Sequence, residues 1–297
     1  MSNIPRSLER AYSCCLRVAT DHYENFPVST KLLPSQLRLH IAAVYAFARY
    51  ADDFADEFDR SQHERLNLLD DWLKRLHCSI GRGVSDEIRH EYDLVFAALS
   101  NTIDVCELPV SLFEDLLSAF RQDVTVHRYR TWNDLLDYCR RSANPIGRIV
   151  LRIAGYNNSE LERAADKICS ALQITNFLQD FRNDWQRGRL YIPEEILRAN
   201  GAYEQDLDGI SLPLQWRRSL AEVAKRTRNL FEDGRVVCDF VHGRLKFELR
   251  LTWLGGMCVL EQLERIEYDS VIKRPTVSAS DYAQIFFKAV VWRASQR

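Results

Sequence analysis

Apolar positions recur along almost the whole chain at the three- and four-residue spacing of a helix. That spacing predicts helices over 5–20, 35–59, 62–78, 85–103, 109–127, 131–154, 159–185, 213–240, 245–268 and 278–295. Residues that start or stop helices lie between them. These are Pro34, Gly81 with Gly83, Pro109, the Tyr156-Asn157-Asn158-Ser159 stretch with Ser159 as N-cap, and Gly201 with Gly209. Pro193 predicts a short helix after an extended Leu190-Tyr191-Ile192 link. No repeat, low-complexity tract or Ser/Gly linker divides the pattern, so one all-α domain spanning 1–297 is expected.

Composition narrows this further. The 297 residues contain 11 Gly and 8 Pro, too few for the turns of a sandwich or the strand–helix junctions of a doubly wound sheet. With 46% hydrophobic and 28% charged residues, the chain has the balance to bury one sizeable core. Forty Lys and Arg against 42 Asp and Glu leave a net charge of −2, and no nucleic-acid partner is expected. The 8 cysteines form no C-x-x-C pair and have no histidines at zinc-finger spacing. Met1 to Arg10 lacks the apolar run of a signal peptide, and no uncharged stretch approaches the ~20 residues of a membrane span. A reduced, cytoplasmic protein is expected, with cysteines acting as small apolar packers.

Two acidic segments carry the candidate chemistry. In Tyr45 to Glu57, an advance of about 100° per residue puts Tyr45, Arg49, Asp52 and Asp56 on one stripe, with Phe47, Phe54 and Phe58 opposite. A helix with large side chains on both sides packs its aromatic side and lines something else with its acidic side. In Gln173 to Trp185, Ile174, Phe177, Leu178, Phe181 and Trp185 form an apolar stripe, while Gln173, Asn176, Asp180 and Asp184 gather on another face. Like charges one helical turn apart weaken a helix unless a cation sits between them. Oxygen ligands of this kind suit Mg²⁺, which takes one or two carboxylates together with phosphate oxygens. Spacing alone leaves two readings open: solvated helix faces, or a Mg²⁺–diphosphate site. The calcium-loop, P-loop, nucleophile-elbow and H-E-x-x-H patterns are all absent.

The ordered pair of motifs, D-D-x-x-D at 52–56 and N-x-x-Q-D-x-x-x-D at 176–184, resembles the two aspartate-rich motifs of the squalene/phytoene synthases. Arg189-Leu-Tyr-Ile-Pro193 is similar to that family's R-x-Y-x-P continuation and Tyr138-Cys139 to its Y-C motif; the likeness runs from about residue 10 to 275. Within the family, His22 to Val28, Tyr45 to Arg49 and Ser142 to Gly147 most resemble the bacterial branch that makes hydroxysqualene for hopanoids. The resemblance implies an all-α terpenoid-synthase bundle with a central active-site cavity, the two acidic clusters facing one another at its mouth. It implies Mg²⁺ held by Asp52, Asp53, Asp56, Asn176, Asp180 and Asp184, with Asp53 pointing more sideways than the others. It places Arg49, Gln179, Arg189, Tyr191, Lys273 and Arg274 on the substrate or its diphosphate, and Tyr138, Asn144 and Gln173 as catalytic candidates. Lys273 and Arg274 also read as a solvated basic turn.

Departures from the family pattern refine the expected reaction. Glu24-Asn25 stands where two-substrate synthases commonly show Lys-Ser, and Gln179 where they carry Arg. Ser142-Ala143-Asn144 replaces their Val-Ala-Gly, and Pro145 follows. These changes suggest that one diphosphate is handled rather than two, and that Asn144 or Ser142 orients a water. The expected substrate is presqualene diphosphate, captured by water to give hydroxysqualene, with no nicotinamide cofactor. The alternatives are head-to-head condensation of two farnesyl diphosphates, or a non-catalytic relative serving as an assembly protein. A thirty-carbon lipid implies peripheral contact with the inner membrane face and neighbouring pathway enzymes upstream and downstream. Tyr282 to Val291 is apolar enough to anchor, although packing within the bundle is the preferred expectation for it.

Overall fold

The computed structural model describes residues 6–21, 34–57, 59–81, 90–209, 211–271 and 274–293. Among them are helices and turns but no strand, in keeping with the apolar spacing. The chain divides into two compact units, Met1–Thr125 with Arg148–Asn157, and Val126–Gly147 with Asn158–Arg297.

The first unit contains α1 (Arg6–Asp21), α2 (Ser35–Asp56), α3 (Gln62–Ser79), α4 (Glu91–Val105) and α5 (Ser111–Thr125). Helix α2 packs against each of the other four. Its aromatic side is buried around Trp72, whose ring centroid lies 4.5 Å from Phe96, 5.3 Å from Phe54 and 5.9 Å from Phe47. The Trp72 indole N–H donates to the Phe47 carbonyl at 3.2 Å, which satisfies the one polar atom in the cluster. Burying each such side chain stabilises by about 1.5–3 kcal/mol. Phe58, expected on the same side, lies outside the described residues. A second buried knot is polar: Tyr12 donates to Asn101 Oδ1 at 2.9 Å, and His40 Nδ1 lies 2.9 Å from Thr102 Oγ1. Burial lowers the pKa of His40 and pushes that of Tyr12 up to about 12.

The second unit contains α6 (Trp132–Ser142), the first residues of α7 (Asn144–Ile153), α8 (Ser159–Gln179), α9 (Phe181–Gln186) and α10 (Glu194–Asn200). It continues through α11 (Leu214–Gly234), α12 (Val237–Phe240), α13 (Gly243–Arg265) and α14 (Ala279–Val290). Helix α11 passes close to α8 at Gly234. A Cβ there would meet both the Ala164 carbonyl oxygen and Ile168 Cγ1 at 2.7 Å, so only glycine fits.

Several predicted boundaries change. Helix 131–154 divides at Ala143 because Pro145 has no N–H to continue the ladder and its ring crowds the preceding turn. Helix 159–185 divides at Asp180, and 213–240 divides after Gly234. The N-cap of α8 is Asn158, whose Oδ1 accepts from Glu160 and Leu161 at 2.8 and 3.1 Å, rather than Ser159. Helix α4 begins at Glu91, capped by His90; residues 85–89 lie outside the description. Helices predicted to 59 and 295 end at Asp56 and Val290, and a 3₁₀ turn, Glu204–Asp208, had no sequence signal. Among the described residues no helix is long and apolar enough to cross a membrane. All cysteines are free; Cys14, Cys15, Cys139 and Cys238 are buried packers, whereas Cys78 is exposed.

Candidate functional site

The first acidic motif occupies the last turns of α2. Asp52, Asp53 and Asp56 all lie at a helix C-terminus, where the backbone dipole is already negative, and no basic residue is present in the final turn. Arg49 compensates from one turn earlier. Its Nη2 lies 2.6 Å from Asp53 Oδ1, and its Nη1 is 3.7 Å from Asp52 Oδ2. Asp53 is therefore the closer partner of Arg49. The Arg49 Nε is buried and meets no acceptor among the described residues, a donor available to an anion. Beside this pair is a cleft of about 290 Å³ lined by Arg17, Asp21, Arg49, Tyr50, Asp53 and Glu91. The Glu91 carboxyl titrates below its ordinary range, chiefly because Arg17 donates to it at 2.7 Å.

The second acidic motif lies across the α8–α9 break. Gln173 is half-buried and Asn176 is exposed on α8. Asp180 leaves helical geometry at φ −97°, ψ 12°, yet its N–H still bonds the Asn176 carbonyl at 2.8 Å. The Asp184 N–H in turn bonds the Asp180 carbonyl at 3.0 Å, so the two aspartates remain one turn apart despite the break. Phe181, between them, is buried against Trp216.

A segment from nearly a hundred residues later fastens onto this break. Arg274 grips Asp180 with two bonds, Nε to Oδ1 at 2.5 Å and Nη2 to Oδ2 at 3.2 Å. Gln179 Nε2 donates to the Pro275 carbonyl at 2.6 Å, and Arg182 Nη1 to the Val271 carbonyl at 2.9 Å. Of the two basic residues expected here, Arg274 reaches the second motif; Lys273 lies outside the described residues. Gln179, expected on the diphosphate, instead holds backbone.

The remaining candidates separate into an aromatic cluster and a helix junction. Tyr191 stacks on Phe177 with centroids 3.6 Å apart and 1° between the rings. Tyr138 lies 6.1 Å from each of those rings, and Tyr129 is 5.5 Å from Tyr138 and 5.8 Å from Tyr191. All four are buried, and they make an aromatic cluster in the second unit. The cluster is aligned by backbone bonds between two extended segments: Leu190 to His127 at 3.0 Å and Glu194 to Tyr129 at 2.9 Å. Arg189, also buried, bonds the Asp184 carbonyl through its N–H at 2.8 Å. Tyr129 and Phe177 join this cluster without a signal in the sequence. Phe177 reads as one more member of an apolar stripe, and Tyr129 sits in Arg128-Tyr129-Arg130, where no helical period marks it.

At the α6–α7 junction, Asn144 is buried beside Pro145. With its nitrogen inward, its NH2, which has two hydrogens, faces three acceptors: Ser170 Oγ at 2.8 Å, the Asp166 carbonyl at 3.0 Å and the Cys139 carbonyl at 3.3 Å. Asn144 thus joins α6, α7 and α8. The neighbouring Ser142 Oγ is buried with no partner among the described residues.

The donor chemistry fits Mg²⁺ completed by a phosphate. The acidic motifs offer hard oxygen ligands, and Arg274 already places positive charge on Asp180. Among the described residues no three His, Cys, Asp or Glu side chains converge into a ready-made metal cage.

The squalene/phytoene synthase pattern matches residues 19–281 of this chain. A hydroxysqualene synthase from Zymomonas mobilis is 38% identical over 210 residues, covering 70% of this chain and 68% of its own. One from Sinorhizobium fredii is 36% identical over 228 residues, covering 76% and 74%. Among solved structures, a squalene synthase from Alicyclobacillus acidocaldarius superposes with a TM-score of 0.80 at 37% identity, over 90% of this chain and 97% of that one. A ligand-bound dehydrosqualene synthase, 22% identical, gives a TM-score of 0.83 over 97% and 98%, a likeness of fold. The architecture is that of the all-α terpenoid synthases.

Proposed function

Because the chain belongs to the squalene/phytoene synthase family, we propose that it converts presqualene diphosphate and water into hydroxysqualene and diphosphate. The observation that carries this reading is the engagement of Gln179. It occupies the place where two-substrate synthases resemble one another in carrying an arginine, and its amide is bound to the Pro275 carbonyl. A glutamine there supplies no charged donor for a second diphosphate, and its neutral N–H already has an acceptor. The names and identities of the Zymomonas and Sinorhizobium relatives support the same choice.

In this reaction the carbon–oxygen bond to diphosphate breaks and its electron pair leaves with the diphosphate. The cation rearranges, a water oxygen bonds to it, and that water loses a proton. Mg²⁺, when bound, supplies electrophilic stabilisation of the leaving diphosphate. Asp52, Asp56, Asp180 and Asp184, with Asn176, are the side chains that would hold it. Arg49 and Arg274 donate hydrogen bonds to the phosphate oxygens as charge builds there. The faces of Tyr129, Tyr138, Phe177 and Tyr191 stabilise the cation and keep bulk water away. Ser142 orients the attacking water, because its hydroxyl is buried and unpartnered whereas Asn144 is occupied by backbone carbonyls. Gln173 lies half-buried on the face of α8 that carries Asn176.

The test is incubation of the purified protein with Mg²⁺ and either presqualene diphosphate or farnesyl diphosphate, followed by mass analysis of the lipids. Hydroxysqualene from presqualene diphosphate alone is expected. Turnover of farnesyl diphosphate with no added presqualene diphosphate would overturn the assignment in favour of head-to-head condensation.

A further inference from the structure

Helix α14 is two-faced in an unusual direction. Its inner stripe, Asp281, Ile285 and Ala289, is buried, and the polar member closes the helix start: Asp281 Oδ2 accepts from the Ser278 N–H at 2.9 Å. The outer stripe is apolar. Tyr282 is 65% exposed, Phe286 57% and Phe287 65%, and Val290 and Val291 follow one turn on. Solvent-facing positions of an ordinary surface helix are polar. A contiguous apolar patch of this kind marks an interaction surface.

The patch is held firmly. Trp292, just beyond α14, lies 4.6 Å from the Arg235 guanidinium and 5.3 Å from that of Arg250, and its N–H donates to Asp239 at 2.8 Å. Phe247 of α13 meets Phe286 edge-on at 5.4 Å, extending the aromatic surface. Charge selects the partner. No carboxylate lies among the exposed residues of α14, whereas Lys288 on the helix and Arg293 just beyond it are exposed. Arg244 and Lys246 lie within one turn of Phe247 at the start of α13. The acids close by are Glu261, at the opposite end of the α13–α14 groove, and Asp239, which is half-buried under Trp292 and beside Arg250. An apolar stripe with a basic rim and an aromatic residue at each end matches an anionic lipid surface, with phenyl groups at the acyl boundary and cations at the headgroups.

We infer that the outer face of α14, with Phe247 and the adjoining basic residues, docks the protein on anionic bilayers. The inference stands on the surface alone and does not depend on the reaction proposed above.

Flotation of the full chain tests it, using vesicles of phosphatidylcholine with or without about 30 mol% phosphatidylglycerol. The wild-type chain should float with the anionic vesicles, less with neutral ones, and less again at raised salt. Phe286→Ser with Phe287→Ser should lower partitioning at least about tenfold, and Arg244→Glu with Lys246→Glu should remove the preference for anionic lipid. Hydrogen exchange of the unmutated chain supplies a readout that needs no variant: vesicles should protect residues 279–290. A wild-type chain that binds neither vesicle, a double Phe variant that binds like wild type, or protection confined to other helices would overturn the inference. So would concentration-dependent dimerisation that the Phe substitutions abolish without any vesicle binding, because the face would then belong to a second copy.

Discussion

The two acidic motifs carry the same residue types but balance their charge in different ways. At the end of α2 the countercharge is local: Arg49 reaches Asp52 and Asp53 across three and four residues of the same helix. At the α8–α9 break it is distant, because Arg274 arrives on Asp180 from 94 residues further along. The first arrangement exists whenever α2 is helical. The second depends on tertiary contacts of Val271, Arg274 and Pro275 with Arg182, Asp180 and Gln179. The α2 aspartates also sit at a helix C-terminus, where the dipole adds to their negative potential, whereas Asp180 both closes α8 and opens α9, and Asp184 lies in the first turn of α9. One site is thus preset and the other conditional.

The largest effect that tests this contrast is loss of catalysis. Asp52→Asn and Asp180→Asn should each reduce diphosphate release by on the order of a hundred- to a thousandfold, with folding retained. Diphosphate assays with presqualene diphosphate measure it; an unaffected variant would show that its motif is only a helix end. Next in size is Gly234→Ala, which forces a methyl group into the Ala164 backbone. It should destabilise the second unit by about 1–3 kcal/mol, read as a lower urea midpoint.

Arg274→Gln should give a smaller change. Removing the guanidinium from Asp180 should tighten Mg²⁺ binding without substrate by about two- to fivefold, since half-exposed pairs are weak. Calorimetry reads this directly, and an unchanged affinity would separate Arg274 from the metal ligands. The smallest effect belongs to His40 in the first unit. Burial lowers its folded pKa below the ordinary 6.5, so the unfolded chain takes up the proton first. Stability should be full above pH 6.5 and decline as pH falls from there towards the lowered folded value. Denaturant titrations of wild type and His40→Gln check this, because only the wild type should show that increment of slope.

Much of this was legible in the residues. The helix class, the positions of most helices and the aromatic side of α2 follow from apolar spacing, because helix register is a local property. The Asp52–Asp56 stripe and its arginine follow for the same reason. The pairing of Arg274 with Asp180 has no such signal: it is a tertiary contact across a turn, and no periodicity links the partners. The break at Asp180 was hidden because its backbone bonds keep nearly helical register. Tyr129 was unreadable because its role depends on two extended segments lying side by side outside any helix or strand. Asn144 and Ser142 looked equivalent until their surroundings were seen, since the sequence records a polar group but not whether a carbonyl already occupies it.

The fastening of Pro275 has a mechanical corollary. Only a few peptide units separate it from Ser278, whose cap begins α14. The Gln179 bond thus anchors the chain within a few residues of the start of α14, so the second acidic motif and the root of that helix share one fixed point.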